Sequence, residues 1–168
     1  MILRDAMPNE IPSIRQQRLE AYHEYAPLLP EAHWEALKKS ILSEADMQPG
    51  VEIIVAESEA EGKILGSVVL FPPNIKAYEG FGDVLEHSEI RMLAVSPSSR
   101  GKGVASTLVN ECIIRTKDKG YPAIGLHTGE FMEGALQLYT RFGFLHTPEH
   151  DFEPANDGII VKAFKMTL

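Results

Sequence analysis

Cysteine occurs once in the 168 residues, at Cys112, which excludes an intrachain disulfide and fits a reducing compartment. Helical spacing puts Cys112 on an apolar side, so packing is expected of it before nucleophilic chemistry. Long hydrophobic runs are also missing. Residues 64–71 form the longest, and Gly66 and Ser67 interrupt it, far short of the about 20 residues that span a bilayer. The first five residues place Asp5 directly after Arg4 and contain no long apolar core, so a signal peptide is not expected and a cytoplasmic protein without a membrane partner is. Basic charge is scarce. The 16 Lys and Arg face 24 Asp and Glu, for a net charge of -8 and an isoelectric point near 5.2, a balance that disfavours nucleic-acid binding because phosphate neutralisation needs a basic surface. No repeat, low-complexity tract or linker is evident. The length suits one domain over residues 1–168.

The patterns that are present alternate between short strands and amphipathic helices. Ile2, Leu3 and Arg4 read as an opening strand. Pro8, Asn9 and Pro12 mark a helix start, and Ile14, Arg18, Leu19 and Tyr22 follow at helical spacing. After the break at residues 27–30, Trp34, Leu37 and Ile41 form a second stripe, with Glu35 placed to pair with Lys39 and Trp34 expected in the core. Residues 51–57 and 63–71 are rich in β-branched side chains and flank a turn at 59–62, so they predict a hairpin. Residues 74–88 lack a period and read as a long loop with room for a short helical turn. Residues 89–95 predict a strand with Ile90, Met92 and Ala94 on one side and Arg91, Leu93 and Val95 on the other. A helix is expected over 104–119, stopped by Gly120, then a strand at 123–127 and a helix at 132–141 closed by Gly143. Last strands at 144–146 and 158–166 flank an acidic loop at 147–157.

The informative segment is residues 93–105, LAVSPSSRGKGVA, a strand that feeds a glycine turn and opens a helix. The first amides of a helix have no intrahelical acceptor, and the helix dipole adds partial positive charge at the same end, so this arrangement suits a pyrophosphate. Gly101 and Gly103 let a ligand approach the backbone, and Arg100 and Lys102 add charge. Residues 96–120 hold five basic residues against two acidic ones, a local excess of positive charge in an acidic chain.

This segment resembles the signature of the GNAT N-acetyltransferase superfamily, in which Arg or Gln is followed by two residues, Gly, one residue, and Gly or Ala. Arg100, Gly103 and Ala105 fill that pattern. Residues 135–144, ALQLYTRFGF, resemble the family's later helix, with Ala, Leu-Tyr and Gly-Phe at matching spacing. The order of elements matches as well. The resemblance implies an α/β GNAT fold: a mixed, mostly antiparallel central sheet of about six or seven strands flanked by about four helices. It implies acetyl-CoA as donor, with the backbone of Leu93 and Val95 on the pantetheine arm. Arg100, Gly101, Lys102, Gly103, Val104, Ala105 and Ser106 would lie at the pyrophosphate. Tyr139 would be the general acid and the Leu93 amide the oxyanion donor. The family often has Asn seven residues before that tyrosine, where this chain has Met132, so one cofactor contact is expected to be lost or made differently.

An amine must lose its proton before it attacks a thioester, because a lysine-like amine of pKa ~10.4 is mostly protonated at neutral pH. Glu89, at the start of the strand leading to the cofactor site, is the expected catalytic base, with His127 in reserve. The acceptor is expected to be a primary amine of a small molecule or peptide, bound between the first two helices and the loops 74–88 and 147–157. Acids in those loops would favour cationic amines, and Tyr22, His23 and Tyr25 are candidate pocket residues. A homodimer fits the resemblance, although no self-complementary surface is legible. Other classes fit poorly. Ser106 replaces the third glycine of a dinucleotide fingerprint, no Gly-Lys-Ser or Gly-Lys-Thr completes a P-loop, and Pro148 between His146 and His150 disfavours a metal-binding helix. The competing reading is an acyl-CoA-binding or regulatory module without catalysis on the same fold.

Overall fold

The computed structural model describes the backbone of residues 1–78, 81–84 and 86–168, with side chains outside 76–85. Seven strands form one sheet: β1 Ile2–Asp5, β2 Glu52–Glu57, β3 Ile64–Phe71, then β6 Ser88–Val95, β7 Ala123–Gly129, β9 Val161–Thr167 and β8 Leu145–His146, in that spatial order. Every pairing is antiparallel except β6 with β7. The two remaining strands, β4 Lys76–Tyr78 and β5 Phe81–Val84, pair with each other as a small ribbon. That ribbon corrects the loop expected over 74–88, whose last residue, Ser88, already belongs to β6.

Four α-helices flank the main sheet: α1 Ile11–Tyr22, α2 Glu31–Ile41, α3 Val104–Asp118 and α4 Glu133–Phe142. The architecture is therefore the mixed, mostly antiparallel α/β arrangement expected. Both sheet faces are covered, which explains the near-continuous apolar runs of β2 and β3. On one face Ile11 and Ile14 of α1 pack on Ile53, Val55, Val69 and Phe71. On the other, Val104, Leu108 and Cys112 of α3 and Leu138 of α4 pack on Ile54, Val68, Ile90, Ile124 and Leu126. Cys112 is fully buried in this second cluster, and burial pushes its thiol pKa up to about 12, so it serves as packing. Trp34 is buried too, with its ring edge-on to His23. Glu35 pairs with Lys38 at 2.8 Å rather than with Lys39, one helical neighbour replacing another.

Strand β6 departs from simple alternation. Its pairing with β3 shifts register between Ser67 and Val69, and Met92 has φ +53°, the signature of a bulge that inserts one residue. Ile90, Leu93 and Val95 consequently share the α3 side, whereas Met92 lies with the α1-side cluster and Arg91 stacks over Phe71 of that cluster. The expected faces for Met92, Leu93 and Val95 are thus corrected, because period-2 reasoning cannot see an inserted residue. A non-glycine residue held at positive φ costs of order 1–3 kcal/mol, and such strain concentrates at functional sites.

Candidate active site

Strands β6 and β7 are parallel partners only at their beginnings. Their register runs Ser88 to Ile124, Glu89 to Gly125 and Ile90 to Leu126, and stops there. From the bulge onward the strands separate, and a cleft of about 1370 Å³ opens between them, lined by Leu93, Val95, His127, Met132 and Tyr139 among others. That volume exceeds the ~300–1,000 Å³ of most small-molecule sites, so the cleft has room for two reactants at once.

At one end of the cleft β6 runs into a 3-10 turn, Pro97–Ser99, and then into α3. Gly101 has φ +73° and Gly103 φ +79°, and a Cβ on either would meet nothing within 4 Å. The backbone conformation, not crowding, requires glycine here, and the open space above leaves the turn approachable. The first α3 amide with a helical acceptor is Thr107, which donates to Gly103 O at 3.0 Å. Amides 101–106 precede it and have no backbone acceptor among the described residues. Gly101, Gly103, Val104, Ala105 and Ser106 all line the cleft. Acceptor-less amides at a helix start are the arrangement for which the sequence suggests an anion ligand.

The basic side chains of the turn have partners within the fold. The Arg100 guanidinium binds the Glu24 carboxylate and donates to Ala21 O at 2.9 Å, so it ties the turn to the end of α1. Lys102 Nζ donates to Ser98 O at 3.2 Å. The exposed Glu24 beside the turn supplies the competing anion for Arg100, a pairing across 76 residues that local sequence could not disclose.

Tyr139 sits on α4, which ends in a Schellman motif. The Gly143 amide donates to Thr140 O at 3.0 Å, the Phe144 amide donates to Tyr139 O at 3.1 Å, and Gly143 has φ +95°. The hydrophobic contact that accompanies this motif is the edge-to-face pair of Tyr139 and Phe144, with ring centroids 5.8 Å apart. The Tyr-to-Phe spacing at the end of α4 is thus a helix stop that also locks Tyr139, 5% exposed, into the cleft wall. Met132 stands at the N-cap of α4, where its sulfur accepts from the Thr128 hydroxyl at 3.4 Å. It offers a thioether where Asn would offer a carboxamide.

Glu89 and His127 meet. Parallel register places Glu89 opposite Gly125, and His127, two residues on, shares its face. His127 Nδ1 lies 2.9 Å from Glu89 Oε1, and both side chains are almost fully buried. His127 lines the cleft, whereas Glu89, 2% exposed, lies behind it. Glu89 Oε2 has no hydrogen-bond partner among the described residues. His127 Nε2 lies 3.3 Å from His150 O, and the ring packs on Phe152 with centroids 5.6 Å apart. The pair was legible one residue at a time, and only the register brings it together.

The far side of the cleft is aromatic. Tyr25 contacts Tyr22 and Phe131, with centroids 6.0 and 5.4 Å apart, and His33 contacts Phe131 at 6.0 Å. Burial pushes the Tyr25 phenol up to about 12. Tyr22, Tyr25, Phe131 and Phe152 all line the cleft, whereas His23 does not. Three of the four acids of the loop 147–157 are used within the fold. Asp151 accepts from the Ala163 amide at 2.8 Å and faces His146, Glu153 accepts from the Gly158 amide, and Asp157 pairs with His33 at 2.7 Å. Burial opposes the charge of Asp157, but hydrogen bonds from His33 and the Ile159 amide outweigh it and hold its pKa below the ordinary aspartate value. The acids of 79–85 lie outside the described side chains.

The sheet thus opens between two parallel strands, with acceptor-less amides at the mouth of the opening. The sequence matches the model of the Acetyltransferase (GNAT) family over residues 12–144, and the chain belongs to that family. It is 32% identical over 96 residues to N-acetyltransferase 8 of Rattus norvegicus, covering 55% of this chain and 39% of that protein. It is 31% identical over 94 residues to an uncharacterized N-acetyltransferase of Escherichia coli K12, covering 56% and 50%. The chain thus spans half or less of these two relatives. Among solved structures it resembles one described as histone acetyltransferase HPA2 and related acetyltransferase from Corynebacterium glutamicum, with 26% identity, TM-score 0.72, and 97% and 93% of the two chains covered. A GCN5-related N-acetyltransferase from Rhodopseudomonas palustris shares the fold at TM-score 0.76 and 16% identity, covering 99% and 95%. Among the described residues, no helix is long and apolar enough to cross a membrane.

Proposed function

We propose that this chain transfers an acetyl group from acetyl-CoA to a primary amine carrying an apolar or aromatic substituent, by direct attack within one cleft. The observation that carries the proposal is the convergence on that cleft of the amides 101–106, the unpaired edge of β6, Tyr139, and a histidine backed by a buried glutamate. Acetyl-CoA supplies an acyl thioester, and its diphosphate suits acceptor-less amides at a helix start. The backbone of Leu93 and Val95, on the β6 edge that β7 leaves, would hold the pantetheine arm.

His127 is the proton acceptor in this account, and Glu89 acts through it. In the tautomer with hydrogen on Nδ1, His127 donates to Glu89 and keeps a lone pair on Nε2. Nε2 takes the proton from the amine, and the imidazolium so formed is held by the Glu89 carboxylate at Nδ1. Tyr139 would donate its phenolic proton to the departing thiolate, and the Leu93 amide would hold the thioester oxygen. The acceptor preference follows from the cleft wall. Its far side presents Tyr22, Tyr25, Phe131 and Phe152, while Asp151, Glu153 and Asp157 are occupied in the fold. This supports an amine with a hydrophobic body over a polycation.

The test is thiol release from acetyl-CoA across a panel of primary amines, from arylalkyl and alkyl amines to polyamines and lysine peptides. Release with the hydrophobic amines, lost in Tyr139→Phe, is the expected result. Tight acetyl-CoA binding without release to any amine would favour a binding module instead.

A further inference from the structure

On the α1 side of β6 lies a group of cationic side chains that the transfer reaction does not use. Arg18 of α1 is 1% exposed. Its Nη1 donates to Asp46 Oδ2 at 2.6 Å, but its Nε and Nη2 have no acceptor among the described residues. Arg15, one turn earlier, donates to the other oxygen of the same carboxylate at 2.6 Å. Arg91 stands nearby with its guanidinium 4.7 Å from the centre of the Phe71 ring. Two guanidinium groups, Arg15 and Arg18, therefore share one carboxylate, Asp46. The exposed Glu44 lines the large cleft next to it.

Burying charged donors without acceptors is unfavourable. A guanidinium cannot relieve the cost by losing its proton at ordinary pH, even though burial lowers the Arg18 pKa against the opposing pull of Asp46. What relieves it is an acceptor, and a negatively charged one most strongly. Arg18, Asp46, Arg91, Ser40 and Ser43 line a pocket of about 20 Å³, above the roughly 10–15 Å³ that one water-sized species requires. Ser40, Ser43 and Arg91 also line the large cleft, so the pocket sits at the edge of that cleft.

We infer that this pocket between α1, α2 and β6 binds one small monovalent anion, either a free halide or the carboxylate end of a molecule lying in the cleft. The charge of Arg15 and Arg18 exceeds that of Asp46 by one, which an anion balances, and the volume of the pocket limits it to a single small group. Two donors on a buried side chain, Arg18 Nε and Nη2, supply the direct contacts, and the Ser40 and Ser43 hydroxyls add further donors. The halide source is independent of the proposed transferase activity, whereas the carboxylate source rests on it.

Three measurements test the site. Crystals of the whole chain soaked in bromide should show an anomalous peak against Arg18 Nε and Nη2. At fixed ionic strength, replacing a bulky sulfonate by chloride at ten times its Kd should raise the melting temperature by about 3–6 °C. Among amine acceptors, a carboxylate should have a KM at least about tenfold below that of its carboxamide, with chloride competing. Arg18→Met, which leaves Asp46 paired with Arg15, should erase all three effects while circular dichroism stays native. A bromide peak and chloride stabilisation without carboxylate preference assign the site to a free halide, and the carboxylate preference assigns it to the cleft ligand. The absence of all three means that water satisfies Arg18, and overturns the inference. If no amine is acetylated at all, the first two arms still decide it.

Discussion

Replacing Glu89 by glutamine separates a catalytic partner from a structural one. The substitution conserves volume and removes the charge that His127 Nδ1 faces at 2.9 Å. A hydrogen bond to a charged group contributes about 1.5–3 kcal/mol, and each 1.36 kcal/mol of barrier is tenfold in rate. If that contribution acts on the protonated histidine formed during transfer, kcat falls by about 10- to 150-fold. The melting temperature should hold or rise, because the change removes a buried carboxylate whose Oε2 has no partner among the described residues. The assay is thiol release at saturating amine, with KM for acetyl-CoA as control, since Glu89 lies outside the cleft lining. His127→Ala should produce an equal or larger loss, and the double variant no more than the worse single, as for two groups acting as a unit. A kcat within twofold of wild type in a folded Glu89→Gln protein would refute the dyad.

Tyr139→Phe should lower kcat by about 100-fold or more with an unchanged Kd for acetyl-CoA, measured by calorimetry, because the Schellman contact with Phe144 needs only the ring. Gly103→Val forces a β-branched residue to φ +79° at roughly 1–2 kcal/mol, so CoA should bind several-fold to about 30-fold more weakly as the turn relaxes away from its cradle geometry. For acid stability, burial opposes ionised Asp46, but the hydrogen bonds from Arg15 and Arg18 prevail and set its pKa below the ordinary 3.8. Its pairing therefore stabilises the fold fully above the unfolded pKa and is lost as pH falls through the lower folded one. Asp46→Asn should accordingly remove part of the steep decline in melting temperature below about pH 4. Cys112, with its thiol pushed up to about 12, should resist thiol reagents at neutral pH until denaturant unfolds the chain, as mass spectrometry would show.

Much of this was legible because local signals and global packing agreed. The glycine turn before α3, the apolar stripe of α3 and the Gly143 stop of α4 are each set by backbone chemistry within a few residues. What escaped was set by residues far apart in the chain. The bulge at Met92 leaves no mark in an alternating pattern, yet it swaps the faces of Met92, Leu93 and Val95. The partner of Arg100 is Glu24, and the partner of Glu89 is His127, each fixed by tertiary placement. The acids of the loop 147–157 looked like an acidic rim for cationic amines by composition, but geometry spends Asp151, Glu153 and Asp157 on backbone amides and histidines. Aromatic residues at 22, 25, 131 and 152 form one wall only after the strands and helices are assembled.

The central claim is that amides 101–106 hold the diphosphate of the donor. Calorimetric titration of the purified chain with acetyl-CoA and with acetyl-pantetheine, which keeps the thioester and lacks the diphosphate, tests it most directly. Acetyl-CoA is expected to bind at least about 100-fold more tightly, a difference of roughly 2.7 kcal/mol. Equal affinity for the two, or no heat with either, would contradict the account.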